Sequence, residues 1–119
     1  MTTQEIATRL AELCKKGEFE TAQKELYAQD CISIEPEATP EFEKEVKGLD
    51  KIFEKGNKFM SMVEEVHGVD TSTPVVAGNS FAFVLKMDMT MKGRGRMNME
   101  ELCVYTTKDG KVISEQFYM

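Results

Sequence analysis

Apolar positions in the first third of the chain recur at helical spacing. Ile6, Leu10, Leu13 and Cys14 fall on one face, with Glu and Arg residues on the other. Thr2 and Glu5 have the spacing of a capping box, in which the hydroxyl caps an orphan amide and the carboxylate reaches back. Lys15 and Lys16 suit the negative end of such a helix, and Gly17 suits a left-handed cap. A second helix is predicted from near Glu18, with Phe19, Ala22 and Leu26 as its apolar stripe, fading near Tyr27. Cys31–Ile34 is a short strand candidate, and Pro36 and Pro40 bracket an acidic loop. A third helix is predicted from Gly48 to about Ser61, with Leu49, Ile52, Phe53 and Phe59 on one side.

From Val63 the period changes to two. One strand runs from Val63 towards Val76, and Gly78-Asn79 is a turn. A long alternating strand follows from Phe81 to Met91, then a glycine-rich turn over Lys92–Gly95 and another strand from Met97 to Thr107. Asp109-Gly110 signals a two-residue hairpin, and Val112–Tyr118 closes the chain. Helices first and antiparallel hairpins second predict an α+β fold, with the N-terminal helices packed in the concave face of a curved, mostly antiparallel sheet.

The hairpins set a register. An Asp109-Gly110 turn places Lys108 opposite Lys111, Val104 opposite Glu115 and Leu102 opposite Phe117. A Gly93-Arg94 turn places Met87 opposite Glu100, Leu85 opposite Leu102 and Phe83 opposite Val104. The face predicted to lie under the helices then carries Phe81, Phe83, Leu85, Met87, Met89, Leu102, Val104, Ile113, Phe117 and Met119. Asn98, Glu100 and Glu115 interrupt it. The opposite face carries Lys86, Asp88, Met99, Glu101, Cys103, Tyr105 and Tyr118, a polar and aromatic mixture that suits a protein interface. A one-residue slip would exchange the two faces of a strand.

A carboxylate in an apolar concavity costs several kcal/mol unless paired or protonated, and its pKa rises. Glu115 and Glu100 are therefore the candidate acid/base groups, and His67, the sole histidine, is a third. Each also has a structural explanation: solvent at the strand end for Glu100, a lysine partner for Glu115, a strand hydrogen bond beside Gly68 for His67.

Composition narrows the function classes. The 119 residues suit one domain spanning 1–119, and 41% hydrophobic with 30% charged residues is a globular balance. A net charge of -6 disfavours nucleic acid and anionic membranes, and Lys92, Arg94 and Arg96 form the only basic cluster. No apolar run reaches the ~20 residues needed to span a bilayer. Three cysteines at no metal-binding spacing predict free thiols in a reducing cytoplasm. No cofactor or metal motif is present. Nine methionines fit an adaptable apolar cavity or an ordinary core.

Three segments carry a resemblance: Gly68–Phe83 (GVDTSTPVVAGNSFAF), Met87–Thr90 with Glu101–Tyr105 (MDMT, ELCVY), and Asp109–Tyr118 (DGKVISEQFY). With the element order, they resemble the SnoaL-like branch of the nuclear-transport-factor-2-like superfamily. The resemblance implies a cystatin-like cone with a cavity between sheet and helices, often in a homodimer built on the outer sheet faces. It also implies acid/base enzymes (cyclases, isomerases, dehydratases) alongside non-catalytic binding domains. Under it, the cavity is expected to be lined by Tyr27, Phe83, Leu85, Met87, Leu102, Val104 and Phe117. An isomerase would want an inward acid near Leu102, where Glu100 is the nearest candidate. Two functions follow. One is a small-molecule-binding cone, with either no chemistry of its own or proton transfer on a hydrophobic carbonyl compound; in the catalytic version Glu115 or Glu100 is the base and Tyr27 or His67 polarises the oxygen. The other is a non-catalytic homodimeric or partner-binding module using Asp88, Glu101, Tyr105 and Tyr118.

Overall fold

A computed structural model describes residues 1–119. Helix α1 spans Thr3–Lys15 and begins with the capping box: the Thr2 hydroxyl accepts from the Glu5 amide at 3.1 Å, and the Thr2 amide donates to Glu5 Oε1 at 2.8 Å. It ends at Gly17, whose φ of 75° lets the Glu18 amide reach back to the Leu13 carbonyl at 2.9 Å. Helix α2 (Phe19–Leu26) runs directly into strand β1 (Tyr27–Ile34), four residues longer at its start than the Cys31–Ile34 expectation. Strand β2 (Glu45–Lys47) comes from the loop after Pro40 and was not expected; helix α3 (Leu49–Ser61) follows it.

The remaining strands are β3 (Val63–Thr71), β4 (Val75–Ala77), β5 (Ser80–Met91), β6 (Gly95–Lys108) and β7 (Lys111–Tyr118). Their order across the sheet is β2-β1-β7-β6-β5-β3, with β4 also pairing β5. Every pairing is antiparallel except β1 with β7, which brings the start of the sheet alongside its last strand. The fold is therefore α+β, with helices on one face of the sheet.

The register differs from expectation at two places. In the β5–β6 hairpin Met91 pairs with Gly95, so three residues connect the strands rather than two. The Arg94 amide closes this turn on the Met91 carbonyl at 3.1 Å, and Gly93 and Gly95 both have positive φ, 74° and 86°. Leu85 consequently faces Glu101, not Leu102, and Phe83 faces Cys103, not Val104. The slip turns Met99, Glu101, Cys103 and Tyr105 inward and sends Asn98, Glu100, Leu102 and Val104 outward. In the β6–β7 hairpin Lys108 faces Lys111 as expected, but Ile113 bulges out between the Thr106–Ser114 and Thr107–Val112 pairs, which shifts the ladder so that Tyr105 faces Glu115.

The core follows from this register. Phe81, Phe83, Leu85, Met87, Met89 and Met91 alternate inward along β5 and pack against Ile6, Leu10 and Leu13 of α1. Tyr105 stacks between Phe81 and Phe83, with ring centroids at 4.9 and 5.4 Å. Each such apolar side chain contributes roughly 1.5–3 kcal/mol on burial. Met119, expected on this face, is exposed at the chain end.

Candidate functional site

An open-mouthed cavity of about 320 Å³ lies between the three helices and the inward faces of β5, β6 and β7. Leu10, Phe19, Ile52, Phe53 and Phe59 form the apolar part of its helical wall, and Phe42 reaches it from the loop before β2. Its sheet wall carries Leu85, Met87, Met99, Glu101, Tyr105, Glu115 and Phe117. Tyr27, at the α2–β1 junction, and Glu20, Gln23, Glu35, Lys55 and Asn57 add polar groups to the lining.

Glu115 is buried, and each of its carboxylate oxygens accepts one hydrogen bond. Ser33 lies opposite it across the parallel β1–β7 pair, and the Ser33 hydroxyl donates to Glu115 Oε2 at 2.6 Å. The Tyr27 hydroxyl donates to the other carboxylate oxygen. Lys55 extends the network from α3: its ammonium donates to Ser33 Oγ at 2.5 Å and to Glu35 Oε2 at 3.1 Å. Burial pushes the Glu115 carboxyl up, while the bonds from Ser33 and Tyr27 and the nearby Lys55 charge pull it back. Tyr27 is held well above the usual phenol range by burial, reinforced by the Glu115 charge, so it remains a neutral donor.

Glu101 differs in kind. It sits on the same strand face as Tyr105 and Met99, partly buried, and forms no ion pair. Its side-chain neighbour is the Cys103 thiol, with Sγ at 3.8 Å. Burial raises its carboxyl to about 7, with the Glu35 and Glu115 charges adding to the effect. The cavity thus holds one carboxylate fixed by its partners and another free to gain or lose a proton near neutral pH. No three His, Cys, Asp or Glu side chains converge as a metal-binding group.

The structure brings together some expected residues and separates others. Glu115, Tyr27, Leu85, Met87 and Phe117 line the cavity. Phe83 lies behind it in the core, fully buried. Glu100 faces solvent opposite Lys86 on the outer sheet surface, and Leu102 and Val104 lie on that surface too; the three-residue β5–β6 connection reverses the expected side. His67 occupies a β-bulge between Val66 and Gly68, where its Nε2 bonds Thr90 Oγ1 at 2.7 Å on the outer face, away from the cavity. Its expected place beside a proton-transfer site is therefore corrected, and the hydrogen-bonded strand alternative describes what is found. Asp88 remains on the outer face, paired to Arg96 through two bonds of 3.0 and 2.8 Å, whereas Glu101 and Tyr105 leave the expected interface for the cavity.

Sequence reasoning missed Glu101, Tyr105, Ser33, Glu35 and Lys55 as site residues. A signal for the first two is present: two glycines at positions 93 and 95 call for a connection longer than two residues. Ser33, Glu35 and Lys55 depend on a parallel pairing between distant segments, for which no local pattern exists.

No curated protein sequence matches the chain. A solved structure from Mesorhizobium loti, described as a candidate SnoaL-like polyketide cyclase, is 35% identical over 100% of both chains, with a TM-score of 0.91. A Xanthomonas campestris protein of unknown function with a cystatin-like fold is 16% identical, covering 99% of this chain and 90% of its own, with a TM-score of 0.81. A Catenulispora acidiphila protein with a ketosteroid isomerase-like fold, solved with trimethylamine, is 19% identical over 99% of this chain and 87% of its own, with a TM-score of 0.75. The family model of the SnoaL-like domain matches residues 1–119. On the fold, the cavity and this full-length match, the chain belongs to the SnoaL-like domain family.

Proposed function

We propose that this protein is a small-molecule-binding cone whose cavity supports proton transfer on a hydrophobic carbonyl compound, with Glu101 as the group that takes and returns the proton. The observation carrying this is the contrast between Glu101 and Glu115 on the cavity's sheet wall. Glu115 is committed to Tyr27 and Ser33. Glu101 has no ion-pair partner and titrates at about 7, where a general base works most effectively. In this reaction Glu101 accepts a proton from the carbon next to the carbonyl and returns it to the same or a conjugated position. Tyr105, held well above the usual phenol range chiefly by burial, stays protonated on the same wall and can donate to the developing oxyanion. Glu115 acts as a positioning residue by holding Tyr27 and the β1–β7 junction. The family, whose members are often cyclases or isomerases, supports the class of chemistry and does not name a substrate.

The test is deuterium exchange in heavy water at the carbon next to the carbonyl of small apolar ketones. Wild-type protein should accelerate exchange and Glu101→Gln should not. Equal rates with both proteins, for every ketone that binds, would refute the acid/base part.

A second observation supports a homodimer through the outer sheet face. Leu102 is 41% exposed there and Tyr118 49%, beside the partly buried Val84 and Val104. Leu102 and Val104 take the place in this interface that Met99, Cys103 and Tyr105 were expected to hold. Three free cysteines fit a reducing compartment, and no helix is long and apolar enough to cross a membrane.

A further inference from the structure

The cavity's charge and aromatic lining restrict the ligand beyond its size. Four acidic side chains line it, Glu20, Glu35, Glu101 and Glu115, against one basic side chain, Lys55. Lys55 is already spent: it bonds Ser33 and Glu35 and lies over the Phe117 ring, 5.5 Å from its centroid. Two more lysines stack on lining rings, Lys24 on Phe53 at 5.9 Å and Lys58 on Phe42 at 5.2 Å. The ring faces here are thus presented to ammonium groups, which the ring quadrupole attracts. Phe19 and Phe59 line the same space and carry no cation of the protein. Glu101 is the lining carboxylate with neither an ion pair nor a hydroxyl donor.

We infer that the cavity selects a ligand with an apolar body and a cationic ammonium group, the cation lying against Glu101 and the free phenylalanine faces. An anionic ligand would meet the Glu101 carboxylate with no free lysine to balance it, since Lys24 pairs with Glu20 and Lys55 with Glu35. A cation gains twice, from the unpaired carboxylate and from the rings. The inference rests on the binding part of the proposed function and is independent of turnover.

The experiment compares two probes of similar shape at pH 8, where Glu101 is ionised. Benzyltrimethylammonium carries a charge that does not titrate; pivalophenone is a neutral ketone. Calorimetry or chemical-shift titration on the whole protein should show the cation binding at least tenfold more tightly than the ketone. Glu101→Gln should weaken the cation at least tenfold. A thermal melt checks that the variant is folded, and the preference in the wild-type protein tests the inference without any variant. Equal or tighter binding of pivalophenone would overturn the inference and leave the binding cone standing. An unchanged cation affinity in Glu101→Gln would overturn it as well. Failure of both probes to bind would overturn the binding cone together with the inference.

Discussion

Ser33 lies directly opposite Glu115 on adjacent parallel strands, and its hydroxyl both donates to the carboxylate at 2.6 Å and accepts from Lys55 at 2.5 Å. One small side chain therefore connects a buried anion to the cation nearest it. Ser33→Ala removes the link and leaves Glu115 with Tyr27 alone. The variant should lose about 1–3 kcal/mol of stability at pH 7, the cost of stranding a charged acceptor. The Glu115 carboxyl should titrate still higher, because a bond that favours its ionised form is gone. Chemical denaturation and carboxyl NMR check the two effects.

The pH dependence of stability should show Glu101. Its folded value of about 7 lies above the ordinary 4.5, so the folded protein holds this proton more tightly than the unfolded chain. The resulting stabilisation is fully present below about 4.5 and declines as pH rises to about 7. Glu101→Gln abolishes that decline and should leave the protein roughly 2–3 kcal/mol more stable than wild type at pH 8. Urea unfolding at pH 5 and pH 8 measures the difference. Wild-type stability rising across that window would mean that Glu101 is not withdrawn from water.

Local signals in the sequence carried most of the fold. Thr2 with Glu5, Gly17, and Asp109-Gly110 act within a few residues and appear as read. The site was harder, because β6 has apolar residues on both faces: Leu102 and Val104 on one, Met99, Cys103 and Tyr105 on the other. Alternation alone cannot orient such a strand, and a single extra residue in the Lys92–Arg94 connection decides it. The expectation that Glu115 and Phe117 face inward holds because two one-residue differences cancel. The β5–β6 slip reverses β6, and the bulge at Ile113 restores β7. Glu101, the neighbour of Leu102, is the acid of β6 that faces the cavity. Lys55 was passed over because a lysine on a helix ordinarily marks the wet face.

The cysteines should be unreactive while the protein is folded. Cys14, Cys31 and Cys103 are buried and unpaired, and burial pushes the thiols of Cys14 and Cys31 up to about 12. A thiolate-specific reagent should label none of the three in native protein within an hour at pH 8, and all three in denaturant without reductant. Rapid labelling of the folded protein would show that the core opens.

The outer sheet face can be tested with one charge. Leu102→Glu places a carboxylate in the centre of the exposed apolar strip, beside Val104 and Tyr118. Sedimentation should give a dimer for wild type at micromolar concentration and a monomer for the variant, with the melting temperature of the monomeric fold little changed. A wild-type monomer, or a dimer indifferent to Leu102→Glu, would place the contact elsewhere or exclude it.

The proton-transfer role assigned to Glu101 depends on where its carboxyl titrates inside the cavity. Carbon-detected NMR of the side-chain carboxyls, assigned through Glu101→Gln, follows it directly. The midpoint should lie near 7 and should move when a ligand enters the cavity. A Glu101 midpoint at the unperturbed ~4.3, unmoved by a bound ligand, would contradict that role.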